Sequence, residues 1–198
     1  NIYRNIKAAI QFLLSGNMAG ILAVLYTSLM ALPVPFQPVH LLFINLLTDS
    51  LPALAIGMES PEKDLLNEKP RDPKEGILTK DFITAIFLQG ALIAICTMTA
   101  FHLGLSAGGS AVASTMAFAT LTLARLFHGF NCRSKHSIFR LKFSTNWYSV
   151  GAFFAGVLLL VLVLFIPILE RLFSVAPLTG SQIGTIVGLA FIPTVVIQ

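Results

Sequence analysis

Residues 39–58 read VHLLFINLLTDSLPALAIGM, a run matching the roughly 20 residues with which an α-helix crosses the hydrocarbon core of a bilayer. Its single charged residue is Asp49. A carboxylate at that depth costs about 2.5–3.5 kcal/mol to insert on translocon scales, so it marks a functional site or a buried partner. Asn45 stands four residues before Asp49 and Thr48 one residue before it, which puts three polar side chains on or near one helix face. Pro52 has no N–H to give to the Thr48 carbonyl, and it predicts a kink. The segment NLLTDSLP therefore offers a carboxylate, an amide, a hydroxyl and a freed carbonyl. Those are the oxygen ligands of a hard cation.

The same apolar character extends outward on both sides. The 198 residues are 56% hydrophobic and 11% charged, with a mean hydropathy of +0.83, outside the balance of soluble domains. Apolar stretches at 6–32, 39–58, 82–103, 111–130, 148–168 and 183–197 predict an all-α fold, a polytopic membrane bundle of six transmembrane helices. Spans this long satisfy their backbone as helices, not as short alternating barrel strands. The whole chain, 1–198, reads as one transmembrane domain with cytoplasmic loops at 59–81 and 131–147. The last stretch is short and runs into the chain end, and Asn1 is not a methionine. Both features point to a piece of a longer polypeptide.

Of the thirteen Lys and Arg residues, all but Arg125 and Arg171 fall at the start of the first stretch (Arg4 and Lys7) or in those two loops. The positive-inside rule assigns that side to the cytoplasm. Both chain ends are then cytoplasmic, and the connections at 33–38, 104–110 and 170–180 are external. The basic pI near 9.3 is accounted for by residues beside the bilayer, so anionic lipid is the expected partner and nucleic acid is not. The loop at 59–81 mixes acids and bases without a nucleotide-binding pattern. Cys96 and Cys132 lack the spacing of a zinc site and sit where a disulfide is not favoured.

Two further polar groups accompany Asp49. Ser15, Gly16 and Asn17 interrupt the first stretch, with Gly20 one turn later; small residues and an amide are common means of packing helices in lipid. The short connection at 33–38 brings Asn17 toward Asn45 and Asp49. Arg125, inside the fourth stretch, either snorkels to the cytoplasmic interface or turns inward to Asp49, the only acid deep in any stretch. His40 and His102 lie near the external boundary and His128 and His136 near the cytoplasmic one, and they read as interfacial.

NIYRNIKAAIQFLLSGN at 1–17 and PVHLLFINLLTDSLPALAIGMESPEKDLL at 38–66 resemble the fifth and sixth membrane helices of P-type cation-transporting ATPases, in the calcium-pump branch. The resemblance implies that the six spans are that family's fifth to tenth, and that the actuator, phosphorylation and nucleotide domains and the first four helices precede them. Magnesium and ATP would bind in those missing parts, so this chain would hold no catalytic or cofactor-binding residue. The residues matched to metal positions are Asn45, Asp49, Thr48 and Asn17. Sodium pumps usually carry aspartate where Asn45 stands.

The sequence departs from the two-site calcium pumps at Gly20 and Arg125, which stand where that family has glutamates. Both departures remove negative charge, and Arg125 adds a positive one. Two unit charges about 4 Å apart interact by about 4 kcal/mol at an effective dielectric of 20, and a divalent ion feels about twice that. The expectation is one calcium per cycle near Asn45 and Asp49, with Arg125 as a counter-charge, protons carried inward in exchange, and a location in a bacterial cell membrane. Manganese or sodium pumping, a non-enzymatic transporter or channel, and an inert helical bundle are the alternatives.

Overall fold

The computed structural model describes residues 2–57, 79–132 and 147–197. The expected loops at 59–81 and 131–147 lie outside the described residues except at their edges. Among the described residues all regular structure is helical.

Helix α1 spans Ile2–Leu29 and stops three residues short of the end expected at 32. Ala31 adopts a positive φ of 56°, and the Leu32 N–H reaches back to the Thr27 carbonyl at 2.8 Å. This closes the last turn as a left-handed cap does, and Pro33 cannot continue the helix. Helix α2, Pro38–Phe43, begins with proline at its first turn, where the missing N–H costs nothing. Residues Ile44–Thr48 then form one π-helical turn, and α3 covers Ser50–Gly57.

Helix α4, Lys80–Gly108, is capped by the Thr79 side chain, which accepts from the Phe82 N–H at 3.2 Å. Lys80 and Asp81, expected in the loop, are therefore its first turn. Its far end also runs past the expected 103, and Gly109, at φ +85°, alone turns the chain into α5, Ser110–Cys132. The external connection expected at 104–110 thus shrinks to one residue, in a conformation that favours glycine. Helix α6, Trp147–Phe165, ends before Ile166, which is extended as the residue before a proline tends to be. Helix α7, Pro167–Leu172, and α8, Gly180–Ile197, complete the chain.

Four helical segments are long and apolar enough to cross a membrane: Tyr3–Leu29, Pro38–Ile56, Lys80–Gly108 and Ser110–Gly129. The apolar helices Val150–Phe165 and Gly180–Val196 are shorter. Six spans were expected, the last of them short; among the described residues four segments have the length and hydropathy to cross, and the fifth and sixth are shorter apolar helices. Pro167 cuts the fifth span at Phe165. Helix α5 packs against α1, α4, α6 and α8 and carries much of the core, including Met116, Phe118 and Leu121. A smaller cluster of Phe12, Ile56 and Cys132 joins α1, α3 and α5 at the end of the bundle where α3 and α5 finish.

Candidate ion site

Asp49 sits where the π turn meets α3. Pro52 withholds the N–H that a regular helix would give to Thr48, and the chain answers with a wider turn in place of a break. The Asp49 N–H donates to the Ile44 carbonyl, five residues back, at 2.9 Å, and the ladder resumes with the Ala53 N–H on the Asp49 carbonyl at 3.1 Å. Single π turns of this kind recur at functional sites. The turn aims the Asp49 side chain into the bundle, where it is 3% exposed.

Arg125 comes from the facing side of α5 and is also 3% exposed. It does not snorkel: its Nη2 forms an ion pair with Asp49 Oδ2. The same nitrogen donates to Asn17 Oδ1 on α1 at 3.3 Å, so one guanidinium ties three segments together. Room for it comes from Gly16. A methyl group built there would stand 2.6 Å from Nη2, so the arginine lies against the bare α1 backbone. At Gly20, one turn on, a methyl group would meet nothing within 4 Å.

The remaining predicted residues are placed differently. Asn45 is exposed, one turn before buried Asp49, and the two do not share a buried face. The Thr48 backbone belongs to the π turn, and its side chain lies outside the described residues. Asn17 is largely exposed and meets Arg125 only through its amide oxygen. The structure thus joins Asp49, Arg125 and Asn17 directly and leaves Asn45 at the rim.

Electrostatically the site is a buried neutral pair, which removes most of the cost of a lone charge in the bundle. Two of its atoms, Asp49 Oδ1 and Arg125 Nε, are buried without a hydrogen-bond partner. Asp49 Oδ1 is an acceptor not engaged by the arginine, as a carboxylate that also receives a cation or a water must have. No group of three or more His, Cys, Asp or Glu able to hold a metal exists among the described residues. A cation here would rely on one carboxylate with neutral oxygens, the donor set of a hard ion.

Sequence reasoning missed two features. Gly16 reads as a general packing residue, yet it is the seat of Arg125. His128, expected at the interface, is 1% exposed; its Nε2 lies 2.8 Å from Ser15 Oγ and its ring stacks on Phe12. The available signal was its position three residues after Arg125, on the same helix face. His40 is buried as well, with Nε2 donating to the Phe173 carbonyl at 2.7 Å and the ring stacked on Phe118 at 4.4 Å. It fastens the start of the second span to the segment after α7.

Residues 33–198 match the family model described as "Cation transporting ATPase, C-terminus". The chain is 40% identical over 196 residues to a calcium-transporting ATPase of Bacillus subtilis, covering 98% of this chain and 22% of that protein. It is 37% identical to calcium-transporting ATPase 1 of Bacillus cereus, covering 99% of this chain and 24% of that one. A calcium-transporting ATPase 1 of Lactococcus lactis is 36% identical across 100% of this chain and 22% of its own length. The chain therefore spans less than a quarter of the relatives it matches. With a buried acid and base facing each other inside apolar helices, and with a family model covering all but the first helix, the chain belongs to the cation-transporting ATPases and corresponds to their C-terminal membrane region.

Proposed function

We propose that the chain supplies the ion-binding membrane region of an ATP-driven calcium exporter. Calcium is the cargo. The observation that carries this reading is Asp49, buried at a π turn with one oxygen on Arg125 and the other without a partner, in a chain whose relatives are named for calcium transport. Asp49 is the anionic ligand, with Asn45, Thr48 and Asn17 as neutral oxygen ligands, and the remaining ligands come from the rest of the polypeptide. That remainder comprises the first four helices and the domains that bind magnesium and ATP.

Arg125 is the counter-charge. It neutralises Asp49 when the cargo is absent and fills the space beside Gly16, so that one calcium moves per cycle. The six apolar segments act as the pump's last six spans, with both chain ends on the cytoplasmic face of a bacterial cell membrane. Protons are the counter-ion.

The test is the ATPase activity of the full-length protein. Stimulation by calcium in preference to manganese, sodium or magnesium is expected, and Asp49→Asn should abolish it. Equal stimulation by manganese would reassign the cargo, and calcium stimulation that survives in Asp49→Asn would sink the reading. Arg125→Glu, which exchanges the positive charge beside Gly16 for a carboxylate, should raise calcium transported per ATP above one if the neighbouring site is vacant because of its charge.

A further inference from the structure

His128 belongs to no ligand set, yet it is among the most enclosed polar side chains of the bundle. It lies on α5 three residues after Arg125. On α1, its partner Ser15 immediately precedes Gly16, against which Arg125 lies, and Asn17, which Arg125 grips. Two contacts between the same two helices thus stand side by side: arginine on Gly16 and Asn17, histidine on Ser15 and Phe12.

The direction of the histidine contact follows from proton count. Ser15 has one hydroxyl proton, and the Gln11 carbonyl takes it at 2.5 Å. In the tautomer protonated at Nε2, Ser15 Oγ then accepts from His128 at 2.8 Å, with the Cys132 Sγ, one turn along α5, 3.5 Å from the same nitrogen. The opposite ring nitrogen, Nδ1, is buried without a hydrogen-bond partner. Stacking on Phe12, with ring centroids 6.4 Å apart, fixes the ring plane. The third element of the junction, α3, is held nearby: a methyl group built on Gly129 would touch Pro52 at 3.5 Å and Phe12 at 3.6 Å. The histidine therefore fastens α5 to α1 where Pro52 redirects the segment carrying Asp49.

We propose that His128 is a positioning residue for Arg125. By donating from Nε2 to Ser15, it sets the α1 to α5 separation at which the guanidinium rests on Gly16 and keeps its bond to Asn17. It rests on the pump reading above for its consequence: an arginine anchored to α1 stays behind when Asp49 turns to the cation. An unanchored one follows the carboxylate and competes with the cargo.

The two ring nitrogens make the proposal testable. Glutamine places its amide N–H where Nε2 stands, whereas asparagine reaches only to the position of Nδ1. In the full-length ATPase, His128→Ala, His128→Asn and Ser15→Ala should weaken apparent calcium affinity by about fivefold, the worth of one hydrogen bond. The maximal rate at saturating calcium should be retained, and His128→Gln should restore the affinity. In an Arg125→Met background His128→Ala should leave calcium affinity unchanged, because the competitor is gone. An equal loss in that background, or rescue by asparagine in place of glutamine, overturns the proposal.

A second readout needs no transport. Thermal midpoints of the purified full-length protein should be non-additive for the substitutions at 128 and 125, as coupled sites are. Additive midpoints overturn the positioning role and leave the pump reading standing. Calcium stimulation surviving in Asp49→Asn would remove the pump reading and leave the coupling to be judged on the midpoints.

Discussion

At the scale of single residues, the site turns on a glycine. A methyl group at position 16 would overlap the Arg125 guanidinium, a long side chain end that could ordinarily swing away. Here it is tied to Asp49 and to Asn17, so moving it breaks those contacts. Gly16→Ala should therefore destabilise the full-length protein by about 1–3 kcal/mol, the usual range for overpacking. With Arg125→Ala as the background the sign should reverse, because alanine is then the better helix former by about 0.5–1 kcal/mol. Thermal midpoints of the four proteins decide it, and a penalty that persists without the arginine would place the clash elsewhere. The pairing of Asp49 with Arg125 was one of the two placements the sequence allowed, since Asp49 is the only acid deep in an apolar stretch and Arg125 could equally have reached the interface. The seat for the arginine was not legible, because a helical glycine says that something approaches closely and not what. His128 was misplaced for a related reason: counting residues to a span's end gives depth but not which way the side chain faces.

Among the elements, two are shaped by what their backbone cannot do. Pro52 announced an irregularity, but whether the chain would break, kink or widen depends on the neighbours that hold it. With α5 and α1 closing on Pro52 through Gly129 and Phe12, it widens into a π turn. The α4 to α5 connection was read at 104–110, between the apolar stretches 82–103 and 111–130. The glycines there instead serve contact. A methyl group on Gly104 would lie 2.8 Å from the Ala113 Cα, with backbone atoms of the same turn at 3.0 Å, and backbone has no flexible end to yield. Gly104→Ala should thus force the hairpin apart and cost about 1–3 kcal/mol. Gly109→Ala, strained because φ +85° and ψ −167° lie in a region open essentially to glycine alone, should also cost about 1–3 kcal/mol. Thermal denaturation ranks them, and Gly104→Ala proving neutral would mean that α4 and α5 are not this close.

Across the whole molecule, the least apolar of the four long spans is the most buried. The span Ser110–Gly129 has the lowest hydropathy of the four, 1.3, yet 78% of it is buried, against 1.8 and 28% for Tyr3–Leu29. A helix surrounded by helices need not dissolve in lipid, so α5 can carry Ser114, Thr115, Thr120 and Thr122 at its core. The hydroxyls of Thr115 and Thr122 bond back to carbonyls one turn earlier, and small side chains allow the close approach that holds helices together in a bilayer. The topology proposed above puts the α1 to α2, α4 to α5 and α7 to α8 connections on one side of the membrane. In that proposal the opposite side is cytoplasmic, by the positive-inside rule applied to the basic sequence that follows α3 and α5. Single cysteines test this in intact cells expressing the full-length protein, with the rest of that protein's cysteines replaced, since Cys96 and Cys132 are both buried and add little background. Val34→Cys, at a site 62% exposed, and Thr179→Cys, also exposed, should react with a membrane-impermeant maleimide from outside. Asn67→Cys should react only after the cells are opened. Labelling of position 67 in intact cells would invert the topology and, with it, the side from which the cargo enters.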